Sequence, residues 1–294
     1  MQKVKKTIPV YDICSLHDAD DRQNDVIAQT FAEYLHIHPN LSASHRHSFY
    51  HFLLFTKGSG YHTVDFEQFP VNAGQIYFMI PGQVHSWNFE GEADGYIINF
   101  SEDIFRSFLT NQEYLEQYPF FRGFAKDSVI QLNEQVAADI ATIFQQIIAE
   151  VKEDNSQSMD MICARLISLF ILVNRTNGIV ANRQIPMQNQ LTLFNFRKLV
   201  NTYYAEKRLP KEYAAILYVT PNHLNALCND LLGISAGELI RDRVLLEAKR
   251  LLVNVDISIS EIAYQLNFTD NSYFTKFFKK YTGVTPEEFR KNFK

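Results

Sequence analysis

The 294-residue chain reads as an α+β protein: an N-terminal β-barrel with two flanking helices, followed by an all-α domain with two helix-turn-helix units joined by a long helix. Three observations predict this. From about Ser44 to Phe100 apolar residues recur with period two, punctuated by turn signals at Lys57-Gly58-Ser59-Gly60, Asn72-Ala73-Gly74, Pro81-Gly82 and Glu90-Gly91. That is the pattern of short hairpin-linked strands in a small barrel or sandwich. From Val136 onward the period becomes helical. Near the C-terminus one pattern occurs twice: Glu212-Tyr213-Ala214 with Leu217 and Thr220 returns as Glu261-Ile262-Ala263 with Leu266 and Thr269, at an offset of 49 (261 − 212) throughout.

After the strands, Val136, Ile140, Ile143, Ile147 and Val151 form one helical stripe, and Ile162, Leu166, Leu169 and Val173 form a second, with 154–158 turning between them. Both stripes suit packing within the chain, and the near-heptad spacing of the second also suits a dimer seam. Around Asn182 to Gln190 the apolar pattern lapses into polar residues with a proline. The expected organisation is therefore 1–182 for the barrel and its helices, 183–190 for a linker, and 191–294 for the helical domain.

Within that last domain, Ser258 and Glu261 have the spacing of a capping box, and Ile262, Ala263 and Leu266 follow on one face. Thr269 or Asp270 can cap the next helix, whose Phe274, Phe277 and Phe278 turn inward. Its outward side chains, Asn271, Ser272, Thr275, Lys276 and Lys279, are donors and acceptors suited to base edges and phosphates. In the first copy Thr220 caps, Pro221 takes the first helical position, and Asn222, His223, Asn225 and Asn229 lie outside a buried Leu224 and Leu227. Ser235 and Glu238 form another capping box between the copies, opening a helix to Leu252; the fifteen or so residues from Glu238 make a rod of about 22 Å.

Charge follows the same division. Residues 189–294 hold 15 Lys and Arg against 11 Asp and Glu (+4), leaving 13 against 22 (−9) of the totals of 28 and 33 for residues 1–188. A basic helical tail agrees with nucleic-acid binding once placed on the repeated units. Cys14, Cys163 and Cys228 are odd in number and far apart, with no C-x-x-C spacing, so neither a disulfide framework nor a structural zinc site is expected. Pro9 and Asp12 interrupt any signal-peptide core, and the best apolar run, Leu166 to Val173, is too short to cross a bilayer. The expectation is a cytoplasmic protein without membrane association.

Eight of the nine histidines fall in the first half. His45, His47 and His51 share strand parity with Phe49 and Leu53, so one barrel face is expected to present three imidazoles, with His85 approaching the same interior. Four imidazoles are a plausible transition-metal set, but no carboxylate lies among these strand positions to support one. The reading is thus a small-molecule pocket made of His45, His47, His51, Tyr77, His85, Trp87 and Asn99, with no metal and no cofactor.

These residues also carry a family resemblance. Arg243 to Leu252, Ile259 to Ala263, Asn271 to Lys280 and Gly283 to Arg290 resemble the double helix-turn-helix domain of AraC/XylS-type transcription regulators. His45-Arg46-His47, Lys57 to Gly60 and Gly74 to Trp87 resemble the cupin-like sensor of the same family. The resemblance implies recognition helices entering the major groove of double-stranded DNA, a small-molecule effector in the barrel, a homodimer, and activation through RNA polymerase. It places base-facing positions at Asn222, Asn225, Asn271, Ser272, Thr275 and Lys276, and phosphate contacts fall to Lys279 and Lys280. The first copy lacks the cations common in relatives, Asn267 replaces the usual turn glycine, and His51 stands where cupin enzymes place a metal-binding glutamate.

Two rival classes stay open at this point. One is a cupin-type metal-dependent enzyme with a helical tail, although no Gly-rich phosphate loop or H-E-x-x-H occurs and no catalytic residue is assigned. The other is a regulator whose barrel only dimerises.

Overall fold

In a computed structural model the alternating segment folds as two five-stranded sheets, not as the closed barrel expected. Residues 8–16, 25–105, 108–109, 114–153, 155–176, 186–254 and 256–292 are described, and they divide into a β-rich unit within Pro9–Ile179 and a helical unit within Val180–Lys294. The strands are β1 Val10–Tyr11, β2 Val26–Thr30, β3 His45–His47, β4 Tyr50–Lys57, β5 Gly60–Val64, β6 Glu67–Pro70, β7 Gln75–Met79, β8 Val84–Phe89, β9 Asp94–Phe100 and β10 Val129–Gln131. The first sheet has the order β1-β3-β8-β5-β6 and the second β10-β7-β4-β9-β2. Among the described residues no ladder joins an edge of one to an edge of the other, which is why the barrel stays open.

Strand β4 shows why the sequence reads as it does here. Leu53 and Phe55 share a core with Val64 and Trp87 of the first sheet, whereas Phe52 and Leu54 turn the other way, into a core with Phe144, Leu166 and Phe170. A strand covered on both faces carries a continuous apolar run in place of alternation. The outer cover is α3 (Glu134–Glu153) and α4 (Ser158–Thr176), preceded in the chain by two short helices, α1 (Phe31–Ile37) and α2 (Ala125–Ser128). Ile162, Leu166, Leu169 and Val173 of α4 are fully buried in this unit, so that stripe is not a dimer seam. Its spacing is satisfied within the unit, by α3 and the core shared with the second sheet. At the irregularity between β4 and β9, a Cβ on Gly95 would lie 1.9 Å from the Leu54 carbonyl oxygen, so only glycine fits.

The helical unit opens with α5 (Met187–Tyr203), so the last residues of the segment expected as linker are helical, while 177–185 lie outside the described residues. Then come α6 (Pro210–Ile216), α7 (Pro221–Leu232), α8 (Ala236–Leu252), α9 (Ile259–Gln265), α10 (Asn271–Thr282) and α11 (Pro286–Asn292). The α8 rod has 17 residues, a rise of about 25 Å. It is fastened to α5 and the residue after it: the Arg243 guanidinium donates to Asn201 at 3.1 Å and stacks over the Tyr204 ring at 4.0 Å. No described helix is long and apolar enough to cross a membrane.

Candidate functional site

Local capping chemistry builds both helix-turn-helix units. Thr220 accepts the His223 N–H at 3.1 Å to open α7, and Asp270, not Thr269, accepts the Tyr273 N–H at 2.7 Å to open α10. Ser258 with Glu261 and Ser235 with Glu238 form complete capping boxes. Before α6, Leu209 has no side-chain acceptor, so only half the box exists: Glu212 accepts the Leu209 N–H at 2.8 Å. Each turn needs one left-handed residue, Tyr218 (φ 54°) in the first and Asn267 (φ 55°) in the second. Asparagine tolerates that region; tyrosine occupies it at a cost.

The repeat is not uniform. Tyr218 and Asn267 are 49 apart, but the caps Thr220 and Asp270 and the closing glycines Gly233 and Gly283 are 50 apart. The second turn therefore has one extra residue, and the offset of 49 throughout is corrected. In register, Asn222 matches Ser272, Asn225 matches Thr275, Ala226 matches Lys276 and Asn229 matches Lys279.

Inside α7, Leu224, Leu227 and Cys228 are buried; inside α10, Phe274 and Phe278 are. Asn222, His223, Asn271, Ser272, Lys276, Lys279 and Lys280 are exposed, and Asn225 and Thr275 are half-buried. Asn225 is also engaged: its Oδ1 accepts the Ala236 N–H at 3.1 Å, tying α7 to the start of α8. Helix α10 thus presents three lysines, whereas α7 presents Asp230 and no lysine or arginine. The two units are coupled by Arg208, which donates to the Leu266 carbonyl and lies over the Phe268 ring at 4.5 Å.

In the β-rich unit all seven expected pocket residues are buried, but the imidazoles do not share one face. The strand breaks at Ser48 and Phe49, so His45 and His47 belong to β3 in the first sheet and His51 to β4 in the second. They meet across the space between the sheets. His45 is cross-strand partner of His85, and His51 of Asn99. Ring centroids lie 4.0 Å apart for His45 and His85, 4.7 Å for His45 and His47, 4.8 Å for His47 and His85, and 5.1 Å for His47 and His51. Trp87 edges onto His85 at 5.1 Å, and the Asn99 amide donates to the Tyr34 hydroxyl at 3.5 Å.

A fifth imidazole, His62, escaped the sequence reading. It sits on β5, with its ring 4.6 Å from Tyr77 and its Nε2 3.2 Å from Nδ1 of His85. The parity of His62 with Val64 on either side of Thr63 is the available signal. Burial holds all five rings neutral: it lowers His45 to about 4 and His51 to about 3, and pushes His47, His62 and His85 well below the usual histidine value. Asp65, also buried, is occupied with Gln83 at 2.7 Å and the Val84 N–H at 3.2 Å.

Comparison with known proteins gives two family matches in series: residues 32–170 fit an AraC-like ligand binding domain, and residues 213–292 a helix-turn-helix domain. The chain is similar to the HTH-type transcriptional activator RhaR of Mannheimia succiniciproducens, at 21% identity over 253 residues, 85% of this chain and 87% of that protein. It is similar to the arabinose operon regulatory protein of Salmonella typhimurium, at 25% identity over 235 residues and 80% of each chain. A shorter match, 41% over 70 residues, is to the probable transcription factor PqrA of Proteus vulgaris, covering 24% of this chain and 57% of that protein.

Proposed function

The chain belongs to the AraC/XylS family of transcription regulators, and from that premise we propose that it is an effector-responsive activator that binds double-stranded DNA sequence-specifically. The observation that carries this reading is the pair of capped recognition helices, α7 and α10, each buried on one side and polar on the other. Asn271, Ser272, Thr275 and Lys276 read base edges, Asn222 and His223 do so from the first unit, and Lys279 and Lys280 hold phosphates. Asn225 serves mainly to orient α7, because its acceptor oxygen is already taken.

The imidazole cluster, with Tyr77, Trp87 and Asn99 around it, is the effector site in this reading. The RhaR relative is named an activator, and this reading adds, as part of the proposal, a homodimer that acts through RNA polymerase. The same relatives favour a regulator over an enzyme. Selection of bound fragments from a random duplex library tests the proposal: enrichment of one motif, bound in gel shift at least about a thousandfold more tightly than scrambled duplex, is the expected result. Recovery of unenriched sequence, with binding that depends only on salt, would overturn it.

A further inference from the structure

We propose that His45, His47 and His85 ligate one divalent transition-metal ion between the two sheets, and that this ion is the signal the β-rich unit reports. The second clause rests on the regulator reading above; the first does not. The ring nitrogens these residues offer all lie within 4.8 Å of one another. Nε2 of His45 and Nε2 of His47 are 3.1 Å apart, close to the roughly 3.3 Å edge of a tetrahedron with metal–nitrogen bonds of about 2.0 to 2.1 Å.

Two of the three rings are already oriented from behind, as ligating histidines are. His45 Nδ1 donates to the Ala43 carbonyl at 2.7 Å, which leaves its Nε2 lone pair facing His47. His85 uses Nδ1 toward His62 at 3.2 Å, and its Nε2 has no partner. His47 needs only to carry its proton on Nδ1, which is likewise without a partner. His51, with neither ring nitrogen paired, stands beside His47 and His85 at ring-centroid distances of 5.1 and 5.2 Å.

Chemistry and space both select an ion. Rings in mutual contact at 4.0 to 4.8 Å leave between them the room of an atom, not of a sugar. All donors are imidazole, and Asp65, a buried carboxylate of this unit, is held by Gln83 and Val84. Such a set suits zinc, cobalt, nickel, copper or iron(II) and disfavours magnesium and calcium. Buried donors left unpaired are costly, and a metal converts that loss into ligation.

The test uses the full chain, stripped with chelator and titrated with cobalt(II), zinc and magnesium chlorides. One equivalent of cobalt is expected to give the visible ligand-field absorption of a low-coordinate nitrogen site, with no binding of magnesium. His45→Gln and His85→Gln should each weaken cobalt binding at least about tenfold, and His62→Gln, which alters only the support of His85, about tenfold or more. His36→Gln, on the exposed side of α1, should leave it unchanged. Zinc should shift affinity for the selected DNA by about fivefold or more. Absence of stoichiometric cobalt in protein that still melts cooperatively, or equal binding by both ligand variants, would overturn the site. Equal DNA affinity of stripped and zinc-loaded protein would overturn the signalling role. If no sequence is bound in either state, the regulator reading fails, while the ligand set stands or falls on the cobalt titration alone.

Discussion

In the β-rich unit five imidazoles are buried between two sheets, and five ring nitrogens among His47, His51, His62 and His85 have no partner. In the helical unit the side chains of Thr220, Ser235, Ser258 and Asp270 each accept a backbone N–H three residues on, and Asn222, His223, Asn271, Ser272 and the three lysines of α10 face outward. The first arrangement is held by tertiary packing against its own local cost. The second is satisfied by its own sequence neighbours. Polar groups kept buried and unpaired mark a place where function is bought with stability, whereas capped helices mark a frame whose chemistry is all on the surface.

The largest single change is expected from removing apolar mass under α10. Phe278→Ala should cost about 3 to 5 kcal/mol of helical-unit stability, lowering the helical melt by circular dichroism while the fluorescence of Trp87, the one tryptophan, still reports an intact β-rich unit. Concerted loss of both signals would show that the units do not melt separately.

Acid should do the reverse. In metal-free protein the folded pKa of His45, about 4, lies below the unfolded value near 6.5, so the unfolded chain takes up protons first as pH falls. Stability is intact above about pH 6.5 and declines below it, by about 3 kcal/mol at pH 4 from this residue alone. His51, at about 3, adds in the same direction. A pH-independent Trp87 unfolding midpoint between 7 and 4 would contradict the buried neutral cluster.

Next come the DNA contacts. Lys276→Ala and Asn271→Ala should each weaken binding to the selected motif by about 1 to 3 kcal/mol without altering the melt, and replacing Lys279 and Lys280 together should reduce the salt slope by roughly 2. Unchanged gel-shift affinity would remove those residues from the interface. Asp270→Ala should cost about 1 kcal/mol of helical stability by uncapping α10. The smallest effect has the opposite sign: Tyr218→Gly relieves a left-handed tyrosine and should stabilise the helical unit by about 1 kcal/mol at most, seen as a higher melting temperature.

What could be read from the sequence follows the same division. Capping boxes at Ser235 and Ser258 span three residues, so spacing alone reveals them. The imidazole residues were legible as a group because parity places His45, His47 and Leu53 inward, but their distribution over two sheets was not, because the break at Ser48 and Phe49 leaves parity intact. His62 lay beyond a Gly-Ser-Gly turn and meets His85 only through the register of β5 with β8. The α4 stripe looks the same whether its cover is a second subunit or the rest of its own chain. Strands β1 and β10, of two and three residues, are too short to show a period.

The extra residue in the second turn has a further consequence. Two helices that follow turns of different length, with three lysines on one and an aspartate on the other, are not interchangeable. Under the function proposed above, a single chain binds its duplex with one polarity, and inverting the recognised segment within a promoter should reverse the direction in which the helical unit runs along it.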